Sequence, residues 1–296
     1  MLTTDTGRPP WAPQTHGAAR RTSLGALLWR TDPLLTGTGL LLLLLAVPSV
    51  SGIWLDPRII TGAPAWLKPS KFAVSTAIYV LTLAWVFTHL PDWPRMRRIV
   101  GRTTAFVLLF EVAVIDLQAW RGTTSHFNVG APLDAALFSA MGVSILVQTL
   151  SSIAVAVALW RRPWADRAMG WALRAGMTLT IVGAFVGGIM TSPTRAQLAE
   201  AATTQRLPIA GAHTVGAADG GPGLPGTGWS TQHGDLRVPH FVGLHALQVL
   251  PFFAFVLRRR SDAIRVRLTV AAAAAYTALF VFLLVQALRG VPFLSL

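Results

Sequence analysis

The chain has no cysteine among its 296 residues. Its own side chains therefore cannot form disulfides, ligate a metal through thiolate or hold an iron–sulfur cluster. Charge is scarce as well. Asp, Glu, Lys and Arg together make up 12% of the sequence, against about one-quarter in an ordinary soluble domain. Acids are the rarer sign, 12 residues against 25 basic ones, which leaves a formal net charge of +13. Lysine occurs only as Lys68 and Lys71. A nucleic-acid-binding protein gathers its basic residues on one soluble face. Here they are spread between hydrophobic runs, and a nucleic-acid partner is excluded.

What fills the sequence is apolar: 53% hydrophobic residues and a mean hydropathy of +0.54. That is the composition of a membrane protein. A membrane helix needs about 20 mostly apolar residues. Seven stretches qualify: 34–54, 71–89, 100–120, 134–159, 169–190, 240–257 and 267–288. The expected fold is all-α, a polytopic bundle of about seven transmembrane helices. Residues 1–30 read as a disordered basic tail, rich in Thr, Gly, Pro, Ala and Arg. Residues 31–296 read as one transmembrane domain with a long external loop at 191–239. The first span is longer than a signal-peptide core, so a retained helix is expected rather than a cleaved leader.

Basic residues set the orientation. Sixteen of the 25 fall in the N-terminal tail and the turns near residues 95–102, 161–167 and 258–267, and eight fall on the other side. The positive-inside rule then places the N-terminus in the cytoplasm and the C-terminus outside, in a cytoplasmic membrane. With that orientation the unusual polar residues collect at the outer helix ends: "WLKPSKF" (66–72), "QAWRGTTSHFN" (118–128), "TSPTRAQL" (191–198), "GDLRVPH" (234–240) and "QALRG" (286–290). "QAWRG" and "QALRG" end spans that run in the same direction, and "SHF" and "PHF" open two spans that run the other way. Such matches fit a duplicated unit or shared interface chemistry.

Polar groups continue into the spans. A charge at mid-bilayer costs about 2.5–3.5 kcal/mol on insertion scales, so Glu111 and Asp116 should face other helices. They are five residues apart, about 140° around a helix, so one face does not carry both. They are the candidate proton-handling groups. His126, His240 and His245 are the candidate ligands of a haem or a transition metal, because membrane haem is held by histidines on facing helices. Arg121, Arg237 and Arg289 are candidates for a shared anion or propionate site, joined by Lys68 and Lys71. Asp235 could instead neutralise one of the arginines. The loop at 191–239 should begin with a short helix capped by Ser192, then cross a Gly- and Pro-rich stretch interleaved with His213, Asp219, Trp229, His233 and Asp235 as a lid.

Three functional readings follow: a haem- or metal-dependent membrane oxidoreductase, a transporter or receptor for a small anionic solute, and an accessory subunit of a membrane complex. The bilayer is a partner in all three.

Overall fold

The computed structural model describes residues 23–295, and every element in it is helical apart from two ladders of two-residue strands. Seven helices have 20 residues or more: α2 Pro33–Leu55, α3 Leu67–Thr88, α4 Pro94–Trp120, α5 Pro132–Arg161, α6 Arg167–Met190, α8 Arg237–Val256 and α9 Asp262–Leu288. All but α4 are long and apolar enough to cross a membrane, six helices in all among the described residues. The fold is that of a multi-pass membrane protein. The expected third span lies in α4, which has the length but carries Glu111 and Asp116 besides four arginines between residues 95 and 102. Most of the expected N-terminal tail lies outside the described residues. Its last part differs from expectation, because Leu24–Thr31 forms α1, capped by Ser23 through the Ala26 amide.

Local chemistry explains the helix boundaries. Proline opens α2, α4 and α5 at the first turn, where its missing amide costs no hydrogen bond. Asp32 caps α2 and Asp166 caps α6, each accepting a first-turn amide at 3.0 Å. The repeated "QAxRG" has a local origin. Both copies end their helix in a Schellman motif, with Gly122 and Gly290 in the left-handed region at φ +76° and +74°. Thr123 bonds back to the Gln118 carbonyl and Val291 to that of Gln286. The two copies thus share one capping geometry. "SHF" and "PHF" differ in structure: His126 precedes α5 in a loop, whereas His240 lies within the first turns of α8.

Neighbours in sequence pack side by side, α2 on α3, α4 on α5 and α8 on α9, while α6 crosses α8. The α6–α8 crossing is close because it is built on glycine. A Cβ on Gly183 would lie 2.7 Å from the Gly243 Cα, and one on Gly243 would lie 2.6 Å from the Gly183 Cα. Leu35, Leu42, Val80, Leu83, Phe87, Val155 and Leu159 form a fully buried core.

The two ends of the bundle differ. At one end, arginines satisfy helix termini: Arg97 donates to the Thr31 carbonyl, Arg162 to that of His89, and Arg265 pairs with Asp166 at 2.6 Å. Arg174, inside an expected span, reaches the last carbonyls of α5, Leu159 and Trp160, and that of Arg162. The other end is covered by the long loop. It starts with α7, Arg195–Thr204, capped by Thr194 in a reciprocal box with Gln197 rather than by Ser192. Strand β3, Thr214–Val215, then pairs with β4, Gly234–Asp235. A small hairpin, β1 Ile59–Ile60 with β2 Ala63–Pro64, abuts the loop where Gly62 meets the Gly220 carbonyl.

Candidate functional site

The site is built at the loop-covered end, around Phe127. This residue sits in the connection between α4 and α5, at φ +65°. Its carbonyl accepts the Ala210 amide at 2.8 Å, which ties the connection to the lid. Its ring touches those of His126, Phe138 and His213, with centroids 6.1, 5.8 and 4.8 Å away. Two segments far apart in sequence thus bring His126 and His213 against one aromatic side chain.

Glu111 lies below them on α4. It is 4% exposed. Its Oε1 is 3.5 Å from His126 Nε2, and its Oε2 is buried without a partner among the described residues. Ser125 Oγ lies 3.1 Å from the other nitrogen of His126. Burial, reinforced by the charges of Lys68, His213 and His240, holds the His126 imidazole well below its ordinary pKa, so it stays neutral. Lys68, on the first turn of α3, lies within Coulomb range of Glu111, Asp219 and Arg237. Its ammonium stands 5.7 Å from the Phe72 ring centroid and has no hydrogen bond or ion pair among the described residues.

The lid adds a second acid–histidine pair. Asp219 Oδ2 lies 2.7 Å from His213 Nδ1, and the carboxylate also accepts the backbone amides of His213 and Thr214 at 2.9–3.0 Å. Burial would raise the Asp219 pKa, but the His213 side chain and these backbone donors outweigh it and hold the acid well below the usual carboxylate range. Burial likewise lowers the pKa of His213, against the opposing pull of Asp219. His240 completes the surroundings from α8. Its Nδ1 faces the Gly183 carbonyl at 2.7 Å and so must be the protonated nitrogen. His126, His213 and His240 therefore each have Nδ1 engaged, and the Nε2 of His126 faces Glu111.

The other residues predicted from sequence are distributed elsewhere. His245 turns along its own helix: Nδ1 lies 2.8 Å from the Phe241 carbonyl and the ring stacks on Phe241. The expected ligand set of His126, His240 and His245 is thus not assembled, and among the described residues no three of His, Cys, Asp and Glu are grouped to hold a metal ion. Arg121 pairs with Asp134 at 2.5 Å and also bonds Gln118, joining α4 to α5. Arg237 is bound by Asp235 through Nε and Nη2 and by the Gly228 carbonyl. Charged hydrogen bonds are each worth about 1.5–3 kcal/mol. An anion arriving at either guanidinium would have to compete with these bonds. Arg289 is exposed at the end of α9 and does not join them. Asp116 faces a crevice against Trp66 and Ser49, on another side of α4 from Glu111.

Sequence reading underweighted Lys68 and the His213–Asp219 pair. One signal was present in "HTVGAAD", where Gly216, at φ +97°, lets the chain turn the acid back onto the histidine. A third group was missed. Tyr79 OH lies 3.2 Å from Ser152 Oγ and accepts from Gln148 at 3.3 Å, a polar cluster deep between α3 and α5. Comparison with protein families, curated proteins and solved structures found no match.

Proposed function

We propose that the protein is a seven-span receptor or transporter of the cytoplasmic membrane, with its N-terminus inside, its C-terminus outside and the lidded end facing out. In this reading it binds a small anionic solute at Lys68 and moves a proton through Glu111 and His126. The observation that carries the reading is the Lys68 ammonium, without a hydrogen bond or ion pair among the described residues, within Coulomb range of an incompletely bonded Glu111 and of an Arg237 already engaged by Asp235. A carboxylate or phosphate would supply the partner that Lys68 lacks. The 3.5 Å separation of Glu111 and His126 supports proton exchange between them as that charge arrives. The packed apolar half below, with Val80, Leu83 and Val155 fully buried, fits a state closed toward the cytoplasm.

A second reading, a membrane enzyme with Glu111 and His126 as acid and base, is favoured by one observation. The His213–Asp219 pair resembles the orientation of a catalytic base by a carboxylate. A haem or metal oxidoreductase has less support, since the His126, His240 and His245 set is dispersed.

The test is a thermal-stability screen of the detergent-purified protein at pH 7 with acetate, succinate and phosphate. One anion class should raise Tm, by an amount that corresponds to about 2.7 kcal/mol at 100 times its Kd. Lys68→Gln should abolish the shift, whereas Arg195→Gln on α7 should keep it. Glu111→Gln should remove the proton exchange that accompanies binding, read by calorimetry in two buffers of different ionisation heat. If no anion raises Tm, or if Lys68→Gln leaves the shift intact, the solute site is not at Lys68. Turnover of a bound anion, followed by NMR, would select the enzyme reading.

A further inference from the structure

We infer that the crevice between α2 and α4, at the lidded end of the bundle, holds a membrane amphiphile whose headgroup carries an ammonium, with Asp116 receiving that headgroup. The crevice has a volume of about 340 Å³ and is lined by Leu45, Pro48, Ser49, Trp66, Trp120 and Asp116. That volume lies at the lower end of the range for small-molecule sites. Its lining is apolar apart from the acid. The other polar groups there are already committed: Ser49 donates to the Leu45 carbonyl, and Trp66 Nε1 donates to Asp56 at 2.8 Å. Asp116 Oδ1 is buried and has no partner among the described residues.

Among the described residues no cation satisfies it. Arg58 is taken by Asp56 and the Trp120 carbonyl, and Arg121 by Asp134 and Gln118. A carboxylate oxygen buried without a donor is costly, and a cationic N–H group supplies both the hydrogen bond and the charge.

Position selects a molecule that arrives from the bilayer. Trp54 and Trp120 are highly exposed at this end of α2 and α4, as side chains at a membrane interface are. Asp116 lies four residues before Trp120, about 6 Å of helix rise. Leu45 and Pro48 lie further from the end of α2 and line the path an alkyl chain would take. The site is separate from the one at Lys68, because Asp116 and Glu111 open on different sides of α4, and neither proposal depends on the other.

The experiment is native mass spectrometry of the full chain in phosphatidylcholine nanodiscs, titrated with dodecylamine, dodecanol or dodecanoate. Dodecylamine should give a one-to-one adduct at concentrations at least 10-fold below the other two. Asp116→Leu should abolish the adduct by removing the acceptor. Leu45→Trp should abolish it by filling the crevice while the acid stays in place, and this variant decides the matter if the first does not fold. Equal binding of dodecanoate or dodecanol, or an adduct that survives in a folded Asp116→Leu or Leu45→Trp protein, would overturn the assignment.

Discussion

At the scale of single residues, the lid is held by groups whose protonation matters. His126 and His213 are half-buried, and their folded-state pKa values lie below the ordinary value of about 6.5. Between the folded and the ordinary pKa the opened state binds more protons, so lid stability rises with pH across that window. The contribution is complete above about pH 6.5 and is lost as pH falls toward the folded values. Asp219 adds the same sign at lower pH. Its depressed pKa stabilises the lid above about 3.9, and the stabilisation disappears on further acidification. Amide exchange in residues 208–236, corrected for its intrinsic pH dependence, should therefore be protected evenly from pH 7 to 8 and lose protection below about 6.5. His126→Gln should make that loss shallower. A flat profile from pH 5 to 8 would mean that the two histidines do not couple to lid closure.

At the scale of helices, the closest crossing depends on absent side chains. Gly183 and Gly243 bring α6 and α8 into backbone contact. Adding one methyl there forces the helices apart, and overpacking of this kind typically costs about 1–3 kcal/mol. Gly183→Ala should lower the melting temperature in detergent and loosen His240, whose Nδ1 bonds the Gly183 carbonyl. Gly142→Ala, on α5, makes the opposite prediction. Its Cβ would meet nothing within 4 Å, so helix propensity should leave stability unchanged or raise it by up to about 1 kcal/mol. Equal effects at both positions would show that the crossing does not limit stability. Glycine also ends both "QAxRG" helices, where a left-handed residue lets the following amide bond back to the Gln carbonyl.

At the scale of the whole molecule, the arginine-rich and lidded ends predict a vectorial labelling pattern. The absence of native cysteine makes this directly testable. Thr203→Cys on α7 should react with an impermeant maleimide in intact cells, whereas Ser261→Cys, between α8 and α9, should react only after permeabilisation. The reverse pattern would invert the bundle and place the proposed solute site in the cytoplasm.

Composition and hydrophobic run length determined the membrane class and the helical fold, because burial in lipid demands long apolar stretches whose backbone groups are satisfied internally. Helical periodicity separated Glu111 from Asp116, since the angle between two positions on one helix needs no knowledge of its neighbours. Partners were another matter. Arg121 finds Asp134 across a turn between helices, whereas Arg237 pairs with Asp235 only two residues away, a neutralisation already open in the sequence. His126 meets His213 through Phe127, 87 positions apart in sequence by residue number. His245, as polar in sequence as His240, turns to its own helix. For pairs that bridge separate elements, such as Arg265 with Asp166, neutralisation is settled by distance in three dimensions, because charged groups interact over a few ångströms.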